Sequence, residues 1–139
     1  MATDHAPHTL EEKERPYANA PSGGPLVQHS LPMMLELSAQ GVLPVETVVE
    51  KMCHAPARLF GVRDRGFLRT GHFADIVLVR PTDPWTVSKE NILYKCGWSP
   101  LEGTAFSHRI VRTLVNGRTV YADGRVDTTH RGAELEFDR

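Results

Sequence analysis

The pair Asn116-Gly117 constrains this chain more tightly than any other two residues in it. The favoured two-residue hairpin turn needs φ > 0 at both central positions, and Asn-Gly is the pair that accepts this most readily. Arg109–Val115, apolar and β-branched, precedes the pair, and Arg118–Ala122 follows it. The turn therefore predicts two paired strands, and Asp123-Gly124 turns the chain once more into Arg125-Val126. Ala74–Val79 is a further apolar, β-branched run between Gly71 and Pro81, which predicts a strand that ends before the proline. Residues 62–126 thus read as a small sheet layer, not a doubly wound α/β unit. Trp85 to Phe106 is a long connection with little pattern. The tail 127–139 is polar and is expected to fray.

Residues 1–61 have a different character. Pro7, Pro16, Pro21 and Pro25, with Gly23 and Gly24, oppose regular structure over residues 1–26, so a loop is predicted there. A loop of that length in a compact domain usually has a task, such as covering a site. The run Glu11-Glu12-Lys13-Glu14-Arg15 inside it reads as a solvated turn of helix or loop. Over 27–40, Leu31, Met34, Leu35 and Ser38 share a stripe and Gly41 is a natural stop. This predicts a helix with Pro32 in the first turn or at a kink. Pro44 opens a second helix, with Val45, Val48, Val49 and Met52 on one face, running to about Cys53. Ala55–Gly61 then restarts at Pro56 as a separate helix of one or two turns.

Composition narrows the function classes. With 139 residues the chain is one domain or a piece of a larger one, and its formal charge of −1 gives no footprint for nucleic acid or an anionic membrane. No apolar run approaches the roughly 20 residues that span a bilayer, and no signal-peptide core follows Met1. Cys53 and Cys96 do not make a disulfide framework. The expectation is a cytoplasmic protein with inert thiols.

The candidate chemistry lies at the start of the chain. Thr3-Asp4-His5-Ala6-Pro7-His8 puts one carboxylate and two imidazoles within five positions. Such groups serve acid–base work and metal ligation. A lone D-H-x-x-H is equally what an Asp-capped turn with solvated histidines looks like, and a metal needs three or four converging ligands. His29, His54, His72, His108 and His130 are scattered singly and read as structural or surface residues. Pro21-Ser22-Gly23-Gly24-Pro25 can offer backbone N–H groups to an anion or a carbonyl oxygen, although most such loops are only turns.

Taken together, the segments resemble a known family. Asp4-His5-Ala6-Pro7-His8-Thr9 followed by Ala20-Pro21-Ser22-Gly23 resembles the C-terminal part of class I dihydroorotases, cyclic amidohydrolases of the amidohydrolase superfamily. Ala55–Gly61 is similar to that family's N/H-P-A-K/R-L-F-G segment. Gly66–Val77 is similar to its G-x-[LI]-x-x-G-x-x-A-D-[IV] segment, and Ser99–Gly103 and Val115-Asn116-Gly117 match later ones. The matches occur in the expected order and cover residues 2–126.

The resemblance implies an α/β fold: the end of a (β/α)₈ barrel at residues 1–61, a small β-sandwich-like domain at 62–126, and a polar tail at 127–139. It implies that Asp4 ends the eighth barrel strand, contacts zinc and acts as general acid–base. It implies that His8 binds the substrate carboxylate and that Ser22 and Gly23 bind the substrate ring through the backbone, while His5 is structural. The substrate would be dihydroorotate or N-carbamoyl-L-aspartate. The remaining metal ligands and the first seven barrel strands have no counterpart here. The expectation is therefore a truncated piece, a proteolytic remnant or one part of a split enzyme, inactive alone. Exposed edges and faces would make it self-associate. Allantoinase, dihydropyrimidinase and a non-catalytic assembly paralogue are the alternatives.

Overall fold

The computed structural model describes residues 1–138. In its second half the chain follows its turns. β1 (Ile76–Thr86), β2 (Ala105–Val115), β3 (Arg118–Ala122) and β4 (Arg125–Val126) form one antiparallel sheet in that order. Asn116 and Gly117 stand at φ 50° and 76°, so the β2–β3 turn uses the left-handed conformation at both positions. The turn is also anchored from outside. Asp75 Oδ1 accepts the Asn116 N–H at 2.8 Å, and the Ala74 carbonyl accepts that of Gly117 at 3.0 Å.

β1 is longer than the sequence predicts, running through Pro81 and Pro84 to Thr86. It lies at the edge of the sheet, and its register with β2 shifts between Pro81 and Trp85. A proline cannot donate to a ladder, and an edge or an irregularity is where that loss matters least. β2 likewise starts early, so Phe106 pairs opposite Trp85. Both ends of the patternless connection therefore belong to the sheet. Between them Lys89–Asn91 makes one 3₁₀ turn with a Ser88–Asn91 capping box.

The helical half begins with α1 (Leu10–Lys13), a single turn within the N-terminal loop. A 3₁₀ turn at Val27–His29 leads into α2 (Ser30–Ala39). Pro32 falls in its first turn, where the N–H would have had no helical partner. α2 lies against β2 and buries Pro32 and Met34. The layer backing the sheet is thus a helix; among the described residues there is no second sheet to make the sandwich-like domain expected from the sequence. α3 (Val45–Val49) follows Pro44, as predicted. The expected break before Pro56 is absent. A π-helical turn, Glu50–His54, runs directly into α4 (Ala55–Phe60), with right-handed helical dihedrals at Val49, Glu50, His54 and Ala55. The wider i→i+5 turn relieves the clash of the proline ring with the carbonyl four residues back.

The end of the tail is held as well, against expectation. Val62 bridges Phe137, and the Asp138 N–H donates to the Gly61 carbonyl at 2.8 Å. The Arg63 guanidinium reaches Glu136 and Asp138 at 3.1 and 3.3 Å. These backbone contacts are long-range, so the polar composition of the tail gave no sign of them.

Met34, Val48, Ala57, Val87 and Phe106 form the buried apolar core. Beside Phe106 an imidazole is buried as well. His29 is 1% exposed and lies 6.4, 5.8 and 6.3 Å from the rings of Trp85, Tyr94 and Phe106. Ser99 Oγ is 3.5 Å from its Nδ1, and Nε2 has no partner among the described residues. Burial pushes its pKa below the ordinary histidine value. Among the described residues no helix is long and apolar enough to cross a membrane.

His29 makes stability depend on pH. The unfolded chain protonates this ring near pH 6.5, the folded chain only at lower pH. Between the two values the unfolded state holds the extra proton, so stability is full above about pH 6.5 and is lost as pH falls. Urea midpoints between about pH 7 and pH 5 should fall more steeply for the parent chain than for His29→Gln. Equal slopes would refute a buried neutral His29.

Candidate functional site

Two segments that are distant from one another in the N-terminal loop lie side by side. His5 bridges Gly24 in parallel, and the Ala6 N–H donates to the Gly24 carbonyl at 3.2 Å. Gly23 permits the approach: its φ is 89°, and a Cβ there would stand 2.6 Å from the Ala6 Cβ. Asp4 is exposed, with φ 48°, a left-handed conformation that Asp adopts more readily than most residues. It lies next to this isolated bridge, not in a strand. Asp4, His8, Ser22 and Gly23 thus come to rest on two adjoining segments. The amides of Ser22 and Gly23 have no partner among the described residues.

His5 is a structural residue here. Its Nδ1 accepts the Leu26 N–H at 3.1 Å and lies 3.4 Å from the Val27 nitrogen, and its ring is 5.3 Å from that of Tyr94. His8 is fixed through its backbone. Its N–H donates to the Ala6 carbonyl at 2.9 Å, and its carbonyl accepts from Trp98 Nε1 at 2.9 Å. Its Nδ1 is 3.5 Å from Glu12 Oε2. Glu12 is itself committed, because Thr9 and Glu12 form the capping box that starts α1. The Thr9 N–H donates to Glu12 Oε2 at 2.9 Å, which holds that carboxyl below its usual range.

Two residues that matter here were not singled out from the sequence. Lys13 Nζ donates to the carbonyls of Pro21 at 2.6 Å and Gly23 at 3.0 Å, tying the loop to α1. The run read as solvated charge therefore contains a strut. The Thr9-x-x-Glu12 spacing was the available signal for the helix that carries it. Trp98 supports His8 from ninety positions away, and no local pattern announces such a contact.

A zinc ion needs three or four converging donors. Among the described residues no three His, Cys, Asp or Glu side chains are placed to hold a metal. His5 Nδ1 is taken by backbone amides, and His8 faces Glu12. Asp4 offers one carboxylate, so these residues do not by themselves fit a zinc site. The other histidines do not complete it: His29 is buried in the core, and His54 stacks on Phe67 at 4.4 Å.

The profile of the Amidohydrolase family matches residues 28–121. The chain belongs to that family. It is 32% identical over 135 residues to a dihydroorotase of Pyrococcus furiosus, covering 97% of this chain and 31% of that protein. A dihydroorotase of Pelobacter propionicus is 40% identical over 121 residues, covering 87% of this chain and 28% of that protein. The chain therefore spans about a third of the length of the curated relatives it matches. Its fold is similar to that of an L-hydantoinase (dihydropyrimidinase) from Arthrobacter aurescens, with a TM-score of 0.81 and 33% identity over 90% of this chain and 29% of that one. A D-hydantoinase from Bacillus sp. AR9 gives 0.80 and 27% over 89% of this chain and 29% of that one. These relatives are cyclic amidohydrolases, the class that the motifs resemble.

Gly23→Ala tests the juxtaposition directly. The added methyl should separate the two segments, because both its φ and its contact with Ala6 are unfavourable. Amide exchange at Ala6 should accelerate while exchange at Val79 and Ile110, in the β1–β2 ladder, stays unchanged. Unaltered protection at Ala6 would contradict the bridge.

Proposed function

We propose that this chain is the C-terminal part of a dihydroorotase, interconverting dihydroorotate and N-carbamoyl-L-aspartate in pyrimidine biosynthesis. One observation carries the reading: the segment that bears Asp4 and His8 adjoins the segment that bears Ser22 and Gly23, through the bridge at His5 and Gly24, in a chain whose curated relatives are named dihydroorotases. In ring opening a water oxygen adds to the ring carbonyl carbon, the C–N bond breaks and the ring nitrogen gains a proton. Asp4, exposed at the edge of the bridge, takes the proton from the attacking water and returns it to that nitrogen. His8 donates to the substrate carboxylate, and the Ser22 and Gly23 amides hold the ring. Zinc belongs to this reading only in the intact enzyme, the end of a (β/α)₈ barrel supplying Asp4 as one ligand and residues outside those described supplying the rest. There it would make a water acidic enough to attack near neutral pH.

A second reading, a dihydropyrimidinase, hydantoinase or allantoinase, draws on the fold similarity to the Arthrobacter aurescens L-hydantoinase. His8 separates the two, since dihydroorotate carries a carboxylate that these uncharged rings lack. The cytoplasm is the proposed location, with small molecules rather than nucleic acid or membrane as partners. Self-association of the lone chain is proposed from its exposed Val45, Val49, Leu59 and Phe60. Sedimentation at low micromolar concentration should give a dimer or larger, and a folded monomer would count against it.

The full-length parent enzyme should open dihydroorotate faster than dihydrouracil, hydantoin or allantoin. Asp4→Asn should lower its kcat by about 10²–10⁴-fold, the usual worth of a general acid–base. Preference for an uncharged ring would overturn the dihydroorotase assignment. The 139-residue chain alone, with zinc added, should give no turnover, and measurable turnover would refute its dependence on other residues.

A further inference from the structure

We infer that Lys13 is a positioning residue for the ring-binding amides of Ser22 and Gly23, an assignment that rests on the dihydroorotase reading of this loop. For those amides to meet a ligand, the carbonyls of the same loop must point elsewhere. A trans peptide unit is rigid and planar, so fixing one carbonyl fixes the N–H of the next residue on the opposite side. Lys13 Nζ holds the Pro21 carbonyl at 2.6 Å, which directs the Ser22 N–H away from the ammonium. It also holds the Gly23 carbonyl at 3.0 Å, which sets the plane of the Gly23–Gly24 peptide. The Ser22–Gly23 peptide is caught between two fixed planes.

The strut is itself well founded. Lys13 ends α1, whose first turn is closed by the Thr9–Glu12 capping box immediately after His8. One helical turn therefore sets both the imidazole at its start and the loop at its end. Among the described residues no carboxylate pairs with Lys13, and the two loop carbonyls are the partners of its ammonium. Lys13 touches no reacting atom; its effect passes through the loop.

The test uses the 139-residue chain, ¹⁵N-labelled and titrated separately with dihydroorotate and with dihydrouracil. The Ser22 and Gly23 amide resonances should shift with both ligands. Lys13→Met should weaken binding at these amides about tenfold, the scale of one lost hydrogen-bonding contact. The loss should be equal for the two ligands, and the resonances of Val87 and Phe106 in the core should stay in place. Lys13→Arg, which keeps donors for both carbonyls, should bind within about threefold of the parent chain. Unchanged affinity in Lys13→Met overturns this inference and leaves the dihydroorotase reading intact. A loss confined to dihydroorotate also overturns it, since that outcome marks simple charge attraction. Absence of any shift at Ser22 and Gly23 in the unsubstituted chain overturns this inference too, while the dihydroorotase reading still stands or falls on the substrate preference of the full-length enzyme.

Discussion

The enclosure of His29 is the interaction on which the other parts of this structure depend. The ring sits between Trp85 on β1, Phe106 on β2 and Tyr94 in the connection that joins those strands. An imidazole nitrogen without a partner costs about 1–3 kcal/mol when buried. Phe106, fully buried, removes about 150–250 Å² from water, on the order of 4–6 kcal/mol at 25 cal/mol per Å², and the half-buried Trp85 and Tyr94 add less. The enclosure wins by a wide margin even after discounting for a compact unfolded state. A buried polar residue can therefore serve as the hub where helix, sheet and connection meet.

The candidate site hangs from that hub. Tyr94 accepts the Gln28 N–H at 2.8 Å through its hydroxyl, and its ring lies against His5. The Gln28 side chain donates to the Asn91 carbonyl at 2.7 Å and accepts the Leu93 N–H at 2.8 Å. Trp98, further along the same connection, holds the His8 carbonyl. Residues 87–104 thus form the support behind the Asp4–His8 segment, although they contain little regular structure. Their side chains make the contacts that the backbone does not.

This division explains what could be read in advance. The β2–β3 turn, the β3–β4 turn, the end of α2 before Gly41 and the start of α3 after Pro44 are decided by residues within a few positions of each other, and their sequence signals sufficed, whereas α2 begins three residues later than expected, after a 3₁₀ turn. The extent of β1 was misread because Pro81 marks a stop locally, while the edge position that tolerates it is a property of the whole sheet. Pro56 misled in the same way, since a π-helical turn absorbs a proline that an α-helix would not. The hold on residues 136–138 comes from Gly61, Val62 and Arg63, far away in sequence. At the site, the residue types of Asp4, His8, Ser22 and Gly23 were legible from the motifs. Their juxtaposition was not, because it is made by a single bridge, a methyl-sized gap at Gly23 and a lysine that looked like solvated charge.

The site is rigid where it is backbone and open where it is side chain. His5, Lys13 and the bridge to Gly24 fix the main chain, whereas Asp4 and Ser22 are exposed. A small-molecule site works by enclosing most of its ligand and presenting a few polar groups from a shaped cavity. One prepared wall can orient a ring, but it cannot exclude water or surround a developing charge, and those are what lower a barrier. Among the described residues the Asp4–His8 and Ser22–Gly23 segments form one such wall, and a ligand resting on it would stay open to water unless further groups closed over it.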